Sequence, residues 1–97
     1  MELSDETLQK IEQCGVLGYP ASKICSILNL ESQEEFIAEF NNPNSKIFKA
    51  FQRGVDKGDF AIDLKIYELA KSGDLNAIEK FQVRKKKNLN DRNDEIR

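Results

Sequence analysis

An all-α fold is predicted by three observations on this chain. Apolar residues recur at spacings of three and four, as in Ile24, Ile27 and Leu28. Helix-start signals recur as well: Ser4 precedes Asp5 and Glu6, Ser32 stands three residues before Glu35, and Asp74 directly follows Gly73. Breakers punctuate the pattern at Gly15 and Gly18, at Asn41-Asn42-Pro43-Asn44 and at Ser72-Gly73. Together these signals predict a helix-turn-helix, three-helix head over residues 1–45. A long linking helix and an αα-hairpin arm follow over 46–88, and a polar, disordered tail over 89–97.

The first helix starts at Ser4, with Asp5 and Glu6 in the turn where negative charge opposes the helix dipole. Leu3 and Leu8 occupy the two positions of a hydrophobic staple, and Leu8, Ile11 and Cys14 form the buried stripe. Gly15 and Gly18 are expected to end this helix. Pro20 suits the first turn of the second helix, where its missing N–H would have no partner. Asn29 suits a left-handed turn residue, and Leu30 would plug that turn into the core. Ser32 with Glu35 is a capping box opening the third helix, whose buried side is Phe36, Ile37 and Phe40. Two short helices around a tight turn are the layout of a helix-turn-helix, a pattern that plain three-helix bundles share.

Asn44 or Ser45 caps the next helix, which buries Ile47, Phe48, Phe51 and Val55. Lys46, Lys49, Arg53 and Lys57 are spaced by three, four and four, so they share the opposite face. The stripe is about 16 Å long at 1.5 Å per residue and could track a phosphate backbone, although a solvated charged face has the same pattern. Gly54 and Gly58 read as close-approach points or as a bend. From Asp59 onward, Phe60, Leu64 and Tyr67 fall on one face, and Ile62, Ile66 and Leu69 on the opposite one. A helix apolar on two sides needs two partners. The returning helix, with Leu75, Ala77, Ile78 and Phe81 inward, is one, and another subunit is expected to be the second. Gly73 and Asp74 end one helix and cap the other. Arg84, Lys85, Lys86 and Lys87 are four consecutive cations in the last turns, suited to the helix dipole or to phosphate.

Composition narrows the function classes. With 33% charged and 39% apolar residues, the chain has a globular rather than a disordered composition. A chain of 97 residues hides only about two-thirds of its unfolded surface, so further burial in an oligomer would help. No apolar run approaches the length of a membrane span, and MELSDET lacks the features of a signal peptide, so a cytosolic protein is expected. There is no histidine, which removes His-based triads and His-ligated metals, and Cys14 and Cys25 alone cannot close a zinc site. No Gly-rich phosphate loop is present, so no enzyme, cofactor or metal is expected. Residues 1–45 carry eight acidic and two basic side chains, a net −6, whereas residues 46–97 carry nine and thirteen, a net +4. A surface attracting nucleic acid belongs mainly to the second half.

Three stretches taken together carry a resemblance: the helix-turn-helix, then NPNSKIFKAFQRGVDKGDF with its Arg53-Gly54, then LKIYELAKSGDLNAIEKFQVRKKK. In this order they resemble the small terminase subunits of tailed bacteriophages and related prophage helix-turn-helix proteins, over about residues 8–87. The most family-like portion is xLAxxGDxxAxxxFxxRK, here Glu68 to Lys85. The resemblance implies a DNA-binding head on a hairpin that assembles into a ring in the cytoplasm of a bacterial host. Such a ring recognises double-stranded viral DNA and passes it to a large ATPase-nuclease subunit. Carried over to this chain, Ser22, Lys23, Ser32, Gln33 and Glu34 fall at the turn and recognition-helix positions. Phe60 through Phe81 would form the assembly hairpin. The chain departs from the family in two ways. Its third helix exposes Glu34, Glu35 and Glu39 with no Lys or Arg, and it lacks a substantial segment after the hairpin. Two alternatives stand beside this reading: a transposase-type or regulatory helix-turn-helix dimer, and a helical adaptor that binds protein only.

Overall fold

Five helices carry the chain in the computed structural model, which describes residues 2–96: α1 (Asp5–Leu17), α2 (Ala21–Leu28), α3 (Gln33–Phe40), α4 (Lys46–Lys71) and α5 (Leu75–Ile96). No strand occurs among the described residues. The fold is therefore all-α, and the local signals for it lie in backbone hydrogen bonding. Ser4 Oγ accepts from Thr7 N at 3.2 Å at the start of α1. Gly18, at φ +70°, ends that helix in the left-handed conformation. Pro20 stands at the N-cap of α2 with extended backbone, one place before the helix proper. Asn29 closes α2 at φ 54°, ψ 48°, a conformation that Asn tolerates better than other side chains. Ser32 Oγ accepts from Glu35 N at 3.3 Å to open α3.

The chain divides into two compact units, residues 1–59 and 60–97. This boundary falls inside α4, later than the break expected at residue 45. The head core consists of Ile11 and Cys14 from α1, Ile24 and Cys25 from α2, Phe36 from α3, and Ile47 and Ala50 from α4. Leu3, Leu8, Leu30 and Phe40 pack at its margin. The first part of α4 thus belongs to the head, because Ile47 and Ala50 complete a core that three short helices cannot close. Ser45 makes the join. Its Oγ accepts from Phe48 N at 3.0 Å and donates to the Glu39 carbonyl at 2.5 Å, linking the end of α3 to the start of α4.

Gly15 does not end α1, as the sequence suggested; it lies within it, buried. The reason is a close crossing. A Cβ on Gly54 would overlap the Glu12 carbonyl, and one on Gly15 would overlap the Phe51 carbonyl. The two glycines let the α1 and α4 backbones meet where any side chain would hold them apart. Gly58 meets the same helix more loosely, with the Val16 carbonyl 3.1 Å from where its Cβ would sit. The close-approach reading of Gly54 and Gly58 therefore holds, and α4 runs through both.

In the second unit, Gly73 turns the chain at φ +97° and Asp74 Oδ1 accepts from Ala77 N at 3.0 Å, capping α5. The half-buried line of α4 here is Asp63, Ile66 and Ala70. That line runs between the two apolar faces expected from the sequence, so neither face is covered whole. Leu75 was expected to point inward and is instead 80% exposed. The tail expected to be disordered from residue 89 is helical, since α5 continues to Ile96; Arg97 lies outside the described residues.

Candidate nucleic-acid interface

The inward side of α4 decides what its outer side presents. With Ile47, Ala50 and Gly54 buried, Lys46, Lys49, Arg53 and Lys57 are all held at the surface. The four do not have the same neighbours. Glu12 of α1 reaches between the last two, with Oε1 3.5 Å from Arg53 Nε and 3.0 Å from Lys57 Nζ. The hydrogen bond from Lys57 is the main cause holding the Glu12 carboxyl below its ordinary 4.5. The charges of Lys57 and Arg53 add to it, and desolvation opposes it. Lys46 and Lys49 make no ion pair among the described residues. Asp56, held by Gln52 Nε2 at 3.1 Å, lies about 60° from Arg53 around the helix, so the far end of the stripe carries negative charge as well. Within the stripe, Lys46 and Lys49 are therefore the cations without an ion pair among the described residues, and Lys46 borders a hollow that Glu2 and Glu39 also line. Glu12 was not singled out from sequence, because its role depends on a crossing set by two glycines far apart in the chain.

The α2–turn–α3 surface is less basic than the stripe. Ser22 and Lys23 are exposed in the first turn of α2, and Lys23 Nζ sits 3.9 Å over the Tyr19 ring, a cation–π contact. Ser32 already accepts a hydrogen bond as the cap of α3, and Gln33 is exposed beside it. Glu34 and Glu35 are exposed on α3 and Glu39 is half-buried. Phosphate contact through this helix would bring like charges together, which weakens binding.

The cationic run on α5 is also divided. Arg84 Nε donates to Asp63 Oδ1 across the hairpin, and Asn88 Nδ2 donates to Asp63 Oδ2 at 3.4 Å. Arg84 thus fastens α5 to α4. Lys85, Lys86 and Lys87 are exposed, with Lys85 Nζ 5.8 Å from the Phe81 ring centroid. Of the residues expected to meet another subunit, Ile66, Ile78 and Phe81 are half-buried within the hairpin, and Phe81 stacks on Tyr67 at 5.3 Å. Phe60, Ile62, Leu64 and Leu69 are exposed, Phe60 at 67%.

Among the described residues no group of three or more His, Cys, Asp or Glu could hold a metal ion. Cys14 and Cys25 are free and buried, and desolvation raises both thiols above their ordinary value. No described helix is long and apolar enough to cross a membrane. Comparisons with family models, curated proteins and solved structures returned no match.

Proposed function

We propose that this chain is a non-enzymatic, self-associating DNA-binding protein of the small-terminase type, working in a bacterial host cytoplasm. In this reading, copies join through the hairpin and present Lys46 and Lys49 to double-stranded DNA, with Lys86 and Lys87 as further phosphate contacts. Each subunit contributes a weak site, and the assembly multiplies it through effective concentration. A large ATPase-nuclease subunit is the partner such an assembly would serve.

One observation carries the proposal. Among residues 60–95, Ala77 is the only buried one, while Phe60, Ile62, Leu64, Leu69, Leu75 and Val83 are exposed. An apolar surface that extensive is characteristic of an interface rather than of a solvated arm. The family-like motif is consistent with this hairpin, since its residues have visible tasks there. Gly73 and Asp74 turn and cap the chain, Ala77 is the close-packed residue, Phe81 stacks on Tyr67, and Arg84 pairs with Asp63.

The test of the DNA half is a salt titration of duplex binding with the double variant K46A/K49A. Affinity falls across all sequences, and the slope of log affinity against log salt flattens by about two for each subunit engaged. Unchanged affinity and slope would remove these lysines from the interface. The protein-only adaptor stands as the second reading because α3 exposes Glu34 and Glu35 with no cation. It predicts no duplex binding even at low salt. A regulatory or transposase-type dimer predicts two subunits by light scattering.

A further inference from the structure

We infer that assembly proceeds head to hairpin, the acidic α3 edge of one copy docking on the basic cleft of the next copy's hairpin. The inference rests on the self-association proposed above and specifies its geometry. The hairpin carries a cleft lined by the apolar Ile66, Phe81 and Leu89 together with Asp63, Lys85 and Arg92. Arg84, also at this cleft, is engaged by Asp63, so Lys85 and Arg92 are the cations offered outward.

The head carries the complement. Ile37 is 38% exposed on α3, and Glu34, three residues earlier, shares its face. Glu31 is exposed in the turn just before that helix. An exposed apolar side chain on an acidic helix thus matches an apolar cleft that Lys85 and Arg92 help to line.

Net charge selects among the three ways in which copies can meet. Residues 1–59 hold ten acidic and six basic side chains, a net −4, and residues 60–97 hold seven and nine, a net +2. Head against head repels, and hairpin against hairpin repels. Head against hairpin attracts, and every copy owns one of each. Such a contact is heterologous, so it propagates from copy to copy and closes into a ring when the rotation allows. It also gives the acidic α3 a partner of the right sign, which phosphate is not. Lys85 then belongs to the subunit contact, leaving Lys46 and Lys49 for DNA.

The experiment is light scattering of the full chain across concentration at low and high salt, with helicity checked by circular dichroism for each variant. All four substituted positions are exposed. E31K/E34K alone and K85E/R92E alone each raise the concentration needed for assembly about tenfold or more at low salt. An equimolar mixture of the two variants restores assembly, because each head now finds an opposite hairpin, and the fourfold variant restores it in one chain. Wild-type assembly that E31K/E34K leaves unchanged overturns the head-to-hairpin geometry while self-association stands. Wild type that stays monomeric at every concentration overturns self-association itself, and this geometry with it.

Discussion

The two units of this chain solve the burial problem in opposite ways. The head closes its core around Phe36, Ile11 and Ile24, each fully buried by contributions from four helices. The hairpin has two helices to work with and closes only around Ala77, a residue with a single methyl group. Two helices have one mutual interface, so the flanks of each stay uncovered, and here those flanks carry Phe60, Ile62, Leu64 and Val83. The head encloses large side chains in a core, whereas the hairpin leaves most of its own exposed. Substitutions in the two units should therefore fail differently, in stability for the first and in assembly for the second.

The largest effect is expected in the head core. Phe36→Ala removes a fully buried ring and costs about 3–5 kcal/mol, read as a lower denaturant midpoint. The matching change in the hairpin, Phe60→Ser, should leave the midpoint of dilute protein nearly unchanged and raise the concentration needed for assembly. Equal loss of stability from both would break the contrast between the units.

Gly54→Ala comes next. Its methyl group meets the Glu12 backbone carbonyl, which cannot move without moving α1, and a cost of about 3 kcal/mol is expected. Gly58→Ala, one turn along, meets the Val16 carbonyl at 3.1 Å and gains about 1 kcal/mol of helix propensity. Thermal unfolding should therefore show a large loss for the first and little change for the second.

Asp74→Ala removes the cap on Ala77 N and should cost the hairpin about 1 kcal/mol, seen as faster amide exchange at the start of α5. The smallest effect is a pH dependence in the head. The folded Glu12 carboxyl lies below its ordinary 4.5, so the folded state binds its proton less tightly than the unfolded chain does. Its contribution is present in full above that ordinary value and is lost as pH falls below 4.5 through the folded value. Glu12→Gln should flatten this part of the stability profile. A wild-type profile that rises as pH falls through this range would contradict the pairing with Lys57 and Arg53.

Features that depend on one or two turns of chain could be read directly from the residues. Ser4, Ser32 and Asp74 accept through their side chains from an N–H three residues on, and Asn29 turns the chain through its own backbone. Features that depend on how helices cross could not. Gly15 looks like a helix stop until its contact with α4 is known, and Ala50 is an ordinary helix former until the core is seen around it. The candidate site follows the same rule. The spacing of Lys46, Lys49, Arg53 and Lys57 placed them on one surface, and all four are exposed there. That Glu12 engages two of them, and that Asp63 engages Arg84, depends on side chains from other helices, which periodicity within one helix does not record. The helical course of α5 beyond residue 88 is not legible in the sequence because that stretch is mostly polar, with Leu89 and Ile96 too sparse to mark a helix face.

The central claim is that the hairpin needs another copy. Its most direct test is the mass of the intact chain in solution by light scattering over a range of concentrations. The account predicts a multiple of 11.1 kDa, with more than two subunits at high concentration and dissociation on dilution. A mass of one chain at every concentration, with the helices intact by circular dichroism, would contradict it.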